Sequence, residues 1–380
     1  MREKSFNKVV VHRSALENNF KYIQKTAGPQ TPVMAMVKAD AYGHGMEDAA
    51  LAFASAGCTR FGVAELCEAV RLRLSGITGE IYVTIGFDLE DVDSFFTYDL
   101  IPVVYSFEAV SALSQKALSL GRNIGVHLKV DTGMSRLGLL PENVGPFLNH
   151  ISELKGVKVV GVMSHLPASD QPLSGSTETG LKNFGVACSE FDDNVDTICH
   201  IANSGAVLNF PDAHCDMVRA GIALYGYDPA GQVGGKHGGR YGDKGGLVPA
   251  MSFHSRVLQV KELPAGTGIS YGHTFVTEKS TKIAIIPVGY EDGLSRSLSN
   301  SGEVLIHGEL APVCGRICMN MCMIDVSTIV GVEAGDEVVL MGVQGQKEIS
   351  ADDIAAKIGT ISYEVLCMFG NNNSREYQVG

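Results

Sequence analysis

Positive charge is the scarcer sign in this chain: 30 Lys and Arg residues face 42 Asp and Glu, a net charge of −12. That balance leaves no electrostatic footprint for nucleic acid, and none is expected as a partner. No apolar run approaches the roughly 20 residues of a membrane-spanning helix, so no membrane association is expected. Met1-Arg2-Glu3-Lys4-Ser5-Phe6 lacks the apolar core of a secretory signal, which points to a cytoplasmic protein. The nine cysteines are odd in number and scattered, as reduced thiols are. Cys314, Cys318 and Cys322 are evenly spaced, but they lie in strand-like sequence without a matching histidine cluster, so no metal is expected. Also missing are a fixed-period repeat and any Gly-x-Gly-x-x-Gly after a candidate strand, which counts against an open, doubly wound sheet.

What remains is globular composition, 45% hydrophobic and 19% charged, over 380 residues. That length is too great for one ordinary core, and two domains are expected, 1–246 and 247–380. In the first, apolar runs at 33–39, 60–64, 81–86, 101–106, 125–131, 158–165, 197–204 and 217–221 read as strands. Between them, stretches such as 45–55, 65–74, 107–120 and 141–154 carry apolar residues at helical spacing. Strand and helix alternating eight times predict an α/β fold, a parallel (β/α)8 barrel of the TIM type. At 226–246 glycine crowds the chain and the hydrophobic period vanishes, the mark of a linker or loop. Beyond it, 253–260, 282–288, 303–306, 311–313, 322–325 and 337–341 read as strands broken by glycine and proline, so a mainly β C-terminal domain is expected. A last helix at 350–358 opens on a serine cap followed by acids.

One stretch gathers the chemistry. In Val33-Met34-Ala35-Met36-Val37-Lys38-Ala39-Asp40-Ala41-Tyr42-Gly43-His44-Gly45 an apolar run ends in a single lysine, then breaks at two glycines. An ammonium at the carboxyl end of a buried strand is costly. Lys38 is therefore a candidate to lose its proton and condense with a carbonyl. Tyr42, four residues on, offers a hydroxyl to a phosphate. An aldehyde with a phosphate handle suggests pyridoxal 5′-phosphate. Barrel enzymes carry their working groups where strands end at the carboxyl face. There the sequence places Lys129 and Asp131, then Arg136, His165, Asn203 with Ser204, and Arg219 with Gly221 and Ile222. The loops after strands seven and eight, where barrels commonly grip phosphate, hold Ser204, Gly205, Gly221 and Ile222.

Val37-Lys38-Ala39-Asp40-Ala41-Tyr42-Gly43-His44-Gly45 resembles the pyridoxal-phosphate signature of the alanine racemases. Later blocks resemble the same family: His127-Leu128-Lys129-Val130-Asp131-Thr132-Gly133-Met134, Val218-Arg219-Ala220-Gly221, Gly268-Ile269-Ser270-Tyr271-Gly272, Gly289-Tyr290-Glu291-Asp292-Gly293, Gly315-Arg316-Ile317-Cys318-Met319 and residues 359–364. The resemblance covers essentially the whole chain. It implies an isomerase that interconverts L- and D-alanine by a two-base mechanism, supplying D-alanine for peptidoglycan, and a homodimer with shared active sites. Lys38 would bind the cofactor aldehyde and act as the base on the D face. Tyr271, lent by the other subunit, would be the base on the L face. Arg219 would face the pyridine nitrogen, with His165 behind it, bonded to Arg219 or Tyr271. Tyr42, Ser204, Gly221, Ile222 and Tyr363 would bind the phosphate, with Asn203 beside them. Arg136 and the Met319 N–H would hold the substrate carboxylate, and Lys129 matches a position that is carbamylated in many members. Asp170 and Arg296 match the family's access corridor. One position departs from the pattern: Asn320 stands where the family usually has aspartate. The lost charge either relaxes substrate choice, toward serine for example, or leaves the hydrogen bonds in place and changes only the local charge.

Overall fold

The computed structural model describes residues 5–171, 173–191, 197–230 and 246–378. Within them, Val33–Met36, Arg60–Val63, Glu80–Val83, Ile101–Val104, Ile124–Lys129, Val157–Met163, Ile198–His200 and Val218–Ala220 form one eight-stranded parallel sheet. Each strand pairs with the next in sequence as far as Ile198–His200, and the eighth pairs with the first. The ring is drawn together between the last two strands by Arg219 N–H to Ala202 O (2.9 Å) and Asp216 N–H to Cys199 O (3.1 Å). Val126, Leu128, Val162 and Val218 are wholly buried, as expected for a parallel sheet covered on both faces. All eight expected barrel strands are present, but several end early. The first stops at Met36, so Lys38 lies in the turn beyond the strand and not at its end. Likewise Asp131, His165 and Ser204 follow their strands and do not close them.

Helix Phe107–Leu120 shows how the outer ring is delimited. Ser106 accepts the Ala109 N–H at its start, and Gly121 ends it in the left-handed conformation. The stretch at 141–154 is a 3-10 turn, Pro141–Asn143, followed by helix Val144–Ile151. Helices Arg13–Ala27, Ser176–Cys188, Ser204–Asn209 and Ser362–Asn372 were not anticipated.

The second sheet has ten strands among the described residues and is antiparallel except for one pair. The stretch at 253–260 is two strands, Met251–Arg256 and Gln259–Leu263. Strand Lys8–His12, near the start of the chain, pairs with Met251–Arg256 on one side and with Arg375–Gln378, in parallel, on the other. Segments near the start and near the end of the described residues are thus tied into this sheet. Helix Ala351–Ile358 carries a reciprocal cap between Ser350 and Asp353. It packs with Ser362–Asn372, which reaches back to the turn after the first barrel strand. Residues 231–245 of the glycine-rich stretch lie outside the described residues. No helix among the described residues is long and apolar enough to cross a membrane.

Candidate active site

Lys38–Tyr42 is a single left-handed turn. Ala39, Asp40, Ala41 and Tyr42 have φ of 53°, 53°, 55° and 54°, a conformation that costs an L-residue about 1–2 kcal/mol. Four together are tolerated only because the surroundings dictate them. Inside the turn, Ala41 N–H reaches Val37 O at 2.9 Å and Gly45 N–H reaches Asp40 O at 2.9 Å. From outside, Asp40 pairs with Arg71 and Arg375 and accepts the Met46 N–H. Glu68 accepts the Ala39 N–H at 2.7 Å. The turn also presses on the last helix, where a Cβ at Gly370 would fall 1.9 Å from Gly43 O. Burial holds the Lys38 amine below the ordinary lysine range, and Arg136 adds to this while Glu68 opposes it.

Arg219 is fully buried. Its guanidinium donates to the carbonyls of His200 (2.8 Å), Ser164 (2.5 Å) and Ile201 (3.2 Å) and to His200 Nδ1 (3.1 Å). Burial lowers it to about 9, still protonated at neutral pH. A guanidinium only donates, so His200 Nδ1 must accept. The His200 proton then sits on Nε2, 2.8 Å from His127 Nδ1, and His127 accepts in turn. Burial and the charge of Arg219 keep both rings neutral: His127 is held down to about 3, and His200 is pushed well below its usual value. The histidine bonded to Arg219 is therefore His200, where the resemblance implied His165, bonded to Arg219 or Tyr271. His165 stands in the same field, lowered to about 3 by burial, then Arg219, Arg136 and Lys38.

Asn203 caps helix Ser204–Asn209 by accepting the Ala206 N–H at 3.1 Å, and its amide donates to Leu166 O. Ser204 Oγ accepts from the N–H of Gly221 (2.9 Å) and of Ala223 (3.2 Å). Two helix starts thus converge, Ser204–Asn209 and the 3-10 turn Ile222–Tyr225, and helix starts attract anions. The Tyr42 hydroxyl lies against Gly221, where a Cβ would come within 2.3 Å of it. The Tyr42 ring packs on Tyr225 and Tyr363, with centroids 4.8 and 5.9 Å away. Burial pushes both phenols, Tyr42 and Tyr363, above the ordinary range.

Lys129 is buried, with Nζ donating to Thr84 O at 2.9 Å. Burial, then Arg219 and Arg136, lower it to about 8. The Asp131 carboxylate accepts the N–H groups of Gly133, Met134, Ser135 and Arg136 at 2.8–3.0 Å. It shapes the loop that presents Arg136. A cavity of about 400 Å³ opens beside these groups, lined by His165, Asn203, Asp170 and Met134 from the barrel and by Tyr363 and Asp352 from the C-terminal helices.

Tyr271 and Met319 stand apart. Tyr271 is 68% exposed, and with Tyr290, Arg296, Ile317 and Cys318 it lines a second cavity of about 410 Å³. Met319 is 54% exposed. Asp170 and Arg296 line different cavities. The Asn320 amide donates to the Glu291 carboxylate, a bond that an ionised aspartate could not make.

Two family models account for nearly the whole chain, the alanine racemase N-terminal domain over residues 11–229 and its C-terminal domain over 250–377. The alanine racemase of Methanococcus maripaludis is 40% identical over 367 residues, spanning 96% of each chain. The chain belongs to the alanine racemase family. Solved structures of the family agree: the Clostridium difficile enzyme superposes with a TM-score of 0.89 at 32% identity, over 99% of this chain and 96% of that one. The Bartonella henselae enzyme, described as having covalently bound pyridoxal phosphate, gives 0.87 at 26% identity, over 99% and 100%.

The family blocks marked Lys38, Arg219 and the phosphate loops, but not His200, Asp40 or Glu68. His200 closes strand Ile198–His200 within a short apolar run, where nothing local separates it from a core histidine. Asp40 lies inside the signature at 37–45, yet its two arginine partners are Arg71 and Arg375.

Proposed function

We propose that the chain interconverts L- and D-alanine with pyridoxal 5′-phosphate as cofactor. One observation supports this most strongly. A half-buried lysine, set on a strained turn and held below its ordinary range, shares a barrel mouth with a buried arginine that carbonyls and a neutral histidine hold in place. The donor set fits the cofactor. Tyr42, Ser204, Gly221 and Ile222 gather where two helix starts converge and the missing side chain of Gly221 lets the Tyr42 hydroxyl come close, a suitable cradle for a phosphate, and Tyr363 borders it. When bound, pyridoxal phosphate supplies an aldehyde for the substrate amine and a ring that spreads the negative charge left at Cα.

The rest is done by this chain's residues. Lys38 provides the amine for the aldehyde and moves a proton on one face of Cα. Arg219 keeps its proton, so a pyridine nitrogen held against it would stay unprotonated, which would restrain side reactions. Arg136 and the Met319 N–H hold the substrate carboxylate, and a carbamate on Lys129 would orient Arg136. Tyr271 moves a proton on the opposite face. Its exposure, in a cavity separate from Lys38, supports a homodimer in which each β half, 247–380, completes the site on the partner's barrel half, 1–246.

Incubation with single enantiomers of alanine and serine, followed by chiral analysis, tests the activity. Conversion of alanine in both directions is expected, and conversion of serine alone would overturn the assignment. Lys38→Ala should abolish the visible absorbance of the bound cofactor. Tyr271→Phe should slow deuterium exchange from L-alanine far more than from D-alanine, and equal losses would remove Tyr271 as the second base. Dilution to monomer should cost activity.

A further inference from the structure

Away from the barrel mouth, two half-buried thiols face each other. Cys188 ends helix Ser176–Cys188, and Cys199 lies in strand Ile198–His200. Their sulfurs are 3.0 Å apart, one S–H directed at the other sulfur. That is about 1 Å longer than a disulfide bond. Cys199 is anchored from behind, its N–H donating to Asp216 Oδ2 at 2.8 Å and its carbonyl accepting the Asp216 N–H at 3.1 Å. Next to Asp216, Cys215 is exposed, with φ of 47°. Nothing in the proposed racemisation uses these thiols.

The geometry points to a redox modification site in which Cys188 and Cys199 form a reversible intramolecular disulfide, with a peroxide as the oxidant. The two sulfurs need only close the remaining gap, and no backbone element has to cross another to bring them together. In the first step the Cys199 thiolate attacks one oxygen of hydrogen peroxide and the O–O bond breaks, giving a sulfenic acid and a hydroxide that takes up the proton lost by the thiol and leaves as water. In the second, Cys188 sulfur attacks the sulfenic sulfur, the S–O bond breaks, and a second water carries away the thiol proton. Two thiols are oxidised and one peroxide is reduced. The contact favours this order: the hydrogen bond between the two sulfurs holds the Cys199 thiol below the ordinary range and raises Cys188. Along the strand the next residue, His200, points the other way and holds Arg219, so the bond would form on the outer face of an element of the site.

The test uses the purified holoenzyme, freed of reductant and given graded hydrogen peroxide. It is then alkylated, digested without reduction and mapped by mass spectrometry. Peptides carrying Cys188 and Cys199 should appear joined, with the loss of two hydrogens, at lower peroxide than any oxidation of the exposed Cys67, and dithiothreitol should reverse the link. In Cys188→Ser the sulfenic acid at Cys199 should persist and react with dimedone. Earlier oxidation of Cys67, a Cys199–Cys215 link in its place, or sulfinic acid without a cross-link in the unaltered protein would overturn the proposal.

Discussion

Gly221→Ala probes the phosphate cradle most directly. Gly221 has φ of −114°, outside the left-handed region that favours glycine. The difficulty is space: the new Cβ would lie 2.3 Å from Tyr42 Oη and 3.1 Å from Cζ. The hydroxyl must move by about 1 Å to reach ordinary van der Waals contact. The ring cannot swing freely, because Tyr225 and Tyr363 flank it. A hydrogen bond to a charged phosphate contributes about 1.5–3 kcal/mol, so its loss should weaken cofactor binding roughly 10- to 150-fold. Titration of the apoprotein with pyridoxal phosphate, followed by visible absorbance, gives the dissociation constant. Tyr42→Phe should lose the same bond and weaken binding similarly. It also removes the atom that the alanine strikes. The double variant should therefore bind about as well as Tyr42→Phe alone, with a coupling close to the full single effect. Unchanged affinity in Gly221→Ala, or losses that simply add, would show that this hydroxyl does not hold the phosphate.

Ala39→Gly should stabilise the protein by about 0.5–1 kcal/mol, because relief of about 1–2 kcal/mol of left-handed strain outweighs the extra freedom of the unfolded chain. A lower urea midpoint would contradict that strain. His127→Phe leaves the His200 Nε2–H without its acceptor in the core and should cost about 1–3 kcal/mol, whereas an unchanged melting temperature would refute the tautomers deduced from Arg219. Lys129 is lowered to about 8 from 10.5, so between those values the unfolded chain binds more protons and stability should rise with pH. In carbonate-free buffer, urea titrations of the apoprotein should show that rise, and Lys129→Met should flatten it. A rise of equal size in the variant would assign it to other groups.

The barrel was legible because its signals are local. Each strand is a short apolar run, each following helix repeats its apolar face, and strand ends mark the mouth where Lys38, Lys129 and Arg219 gather. The β half was legible in outline, since turn residues mark its breaks. Lys8–His12 carries no legible signal because its partners lie 240 or more residues away, and no local pattern assigns it to that sheet. The turn at Lys38–Tyr42 was hidden for a different reason. A left-handed run is normally announced by glycine, yet Ala39, Asp40, Ala41 and Tyr42 carry side chains. What imposes the conformation is tertiary: Glu68 and Arg71 from helix Leu66–Leu74 and Arg375 from the last strand converge on it.

The support of Arg219 had a signal, one that only the sheet order makes readable. Ile198–His200 lies beside Val157–Met163, which lies beside Ile124–Lys129. His200 and His127 are thus two strands apart, with the middle strand between them. In that strand the residue paired with His127 is Gly161, in the run Val159-Val160-Gly161-Val162. A Cβ there would fall 2.2 Å from the His127 ring. Only the missing side chain lets His127 reach across to His200 and accept its proton. Glycine weakens a strand interior and marks a close approach, and here the approaching group is the ring that sets the tautomer of the histidine holding Arg219. Gly161→Ala should therefore disturb Arg219 from two residues away, through His127 and His200, without touching the arginine itself.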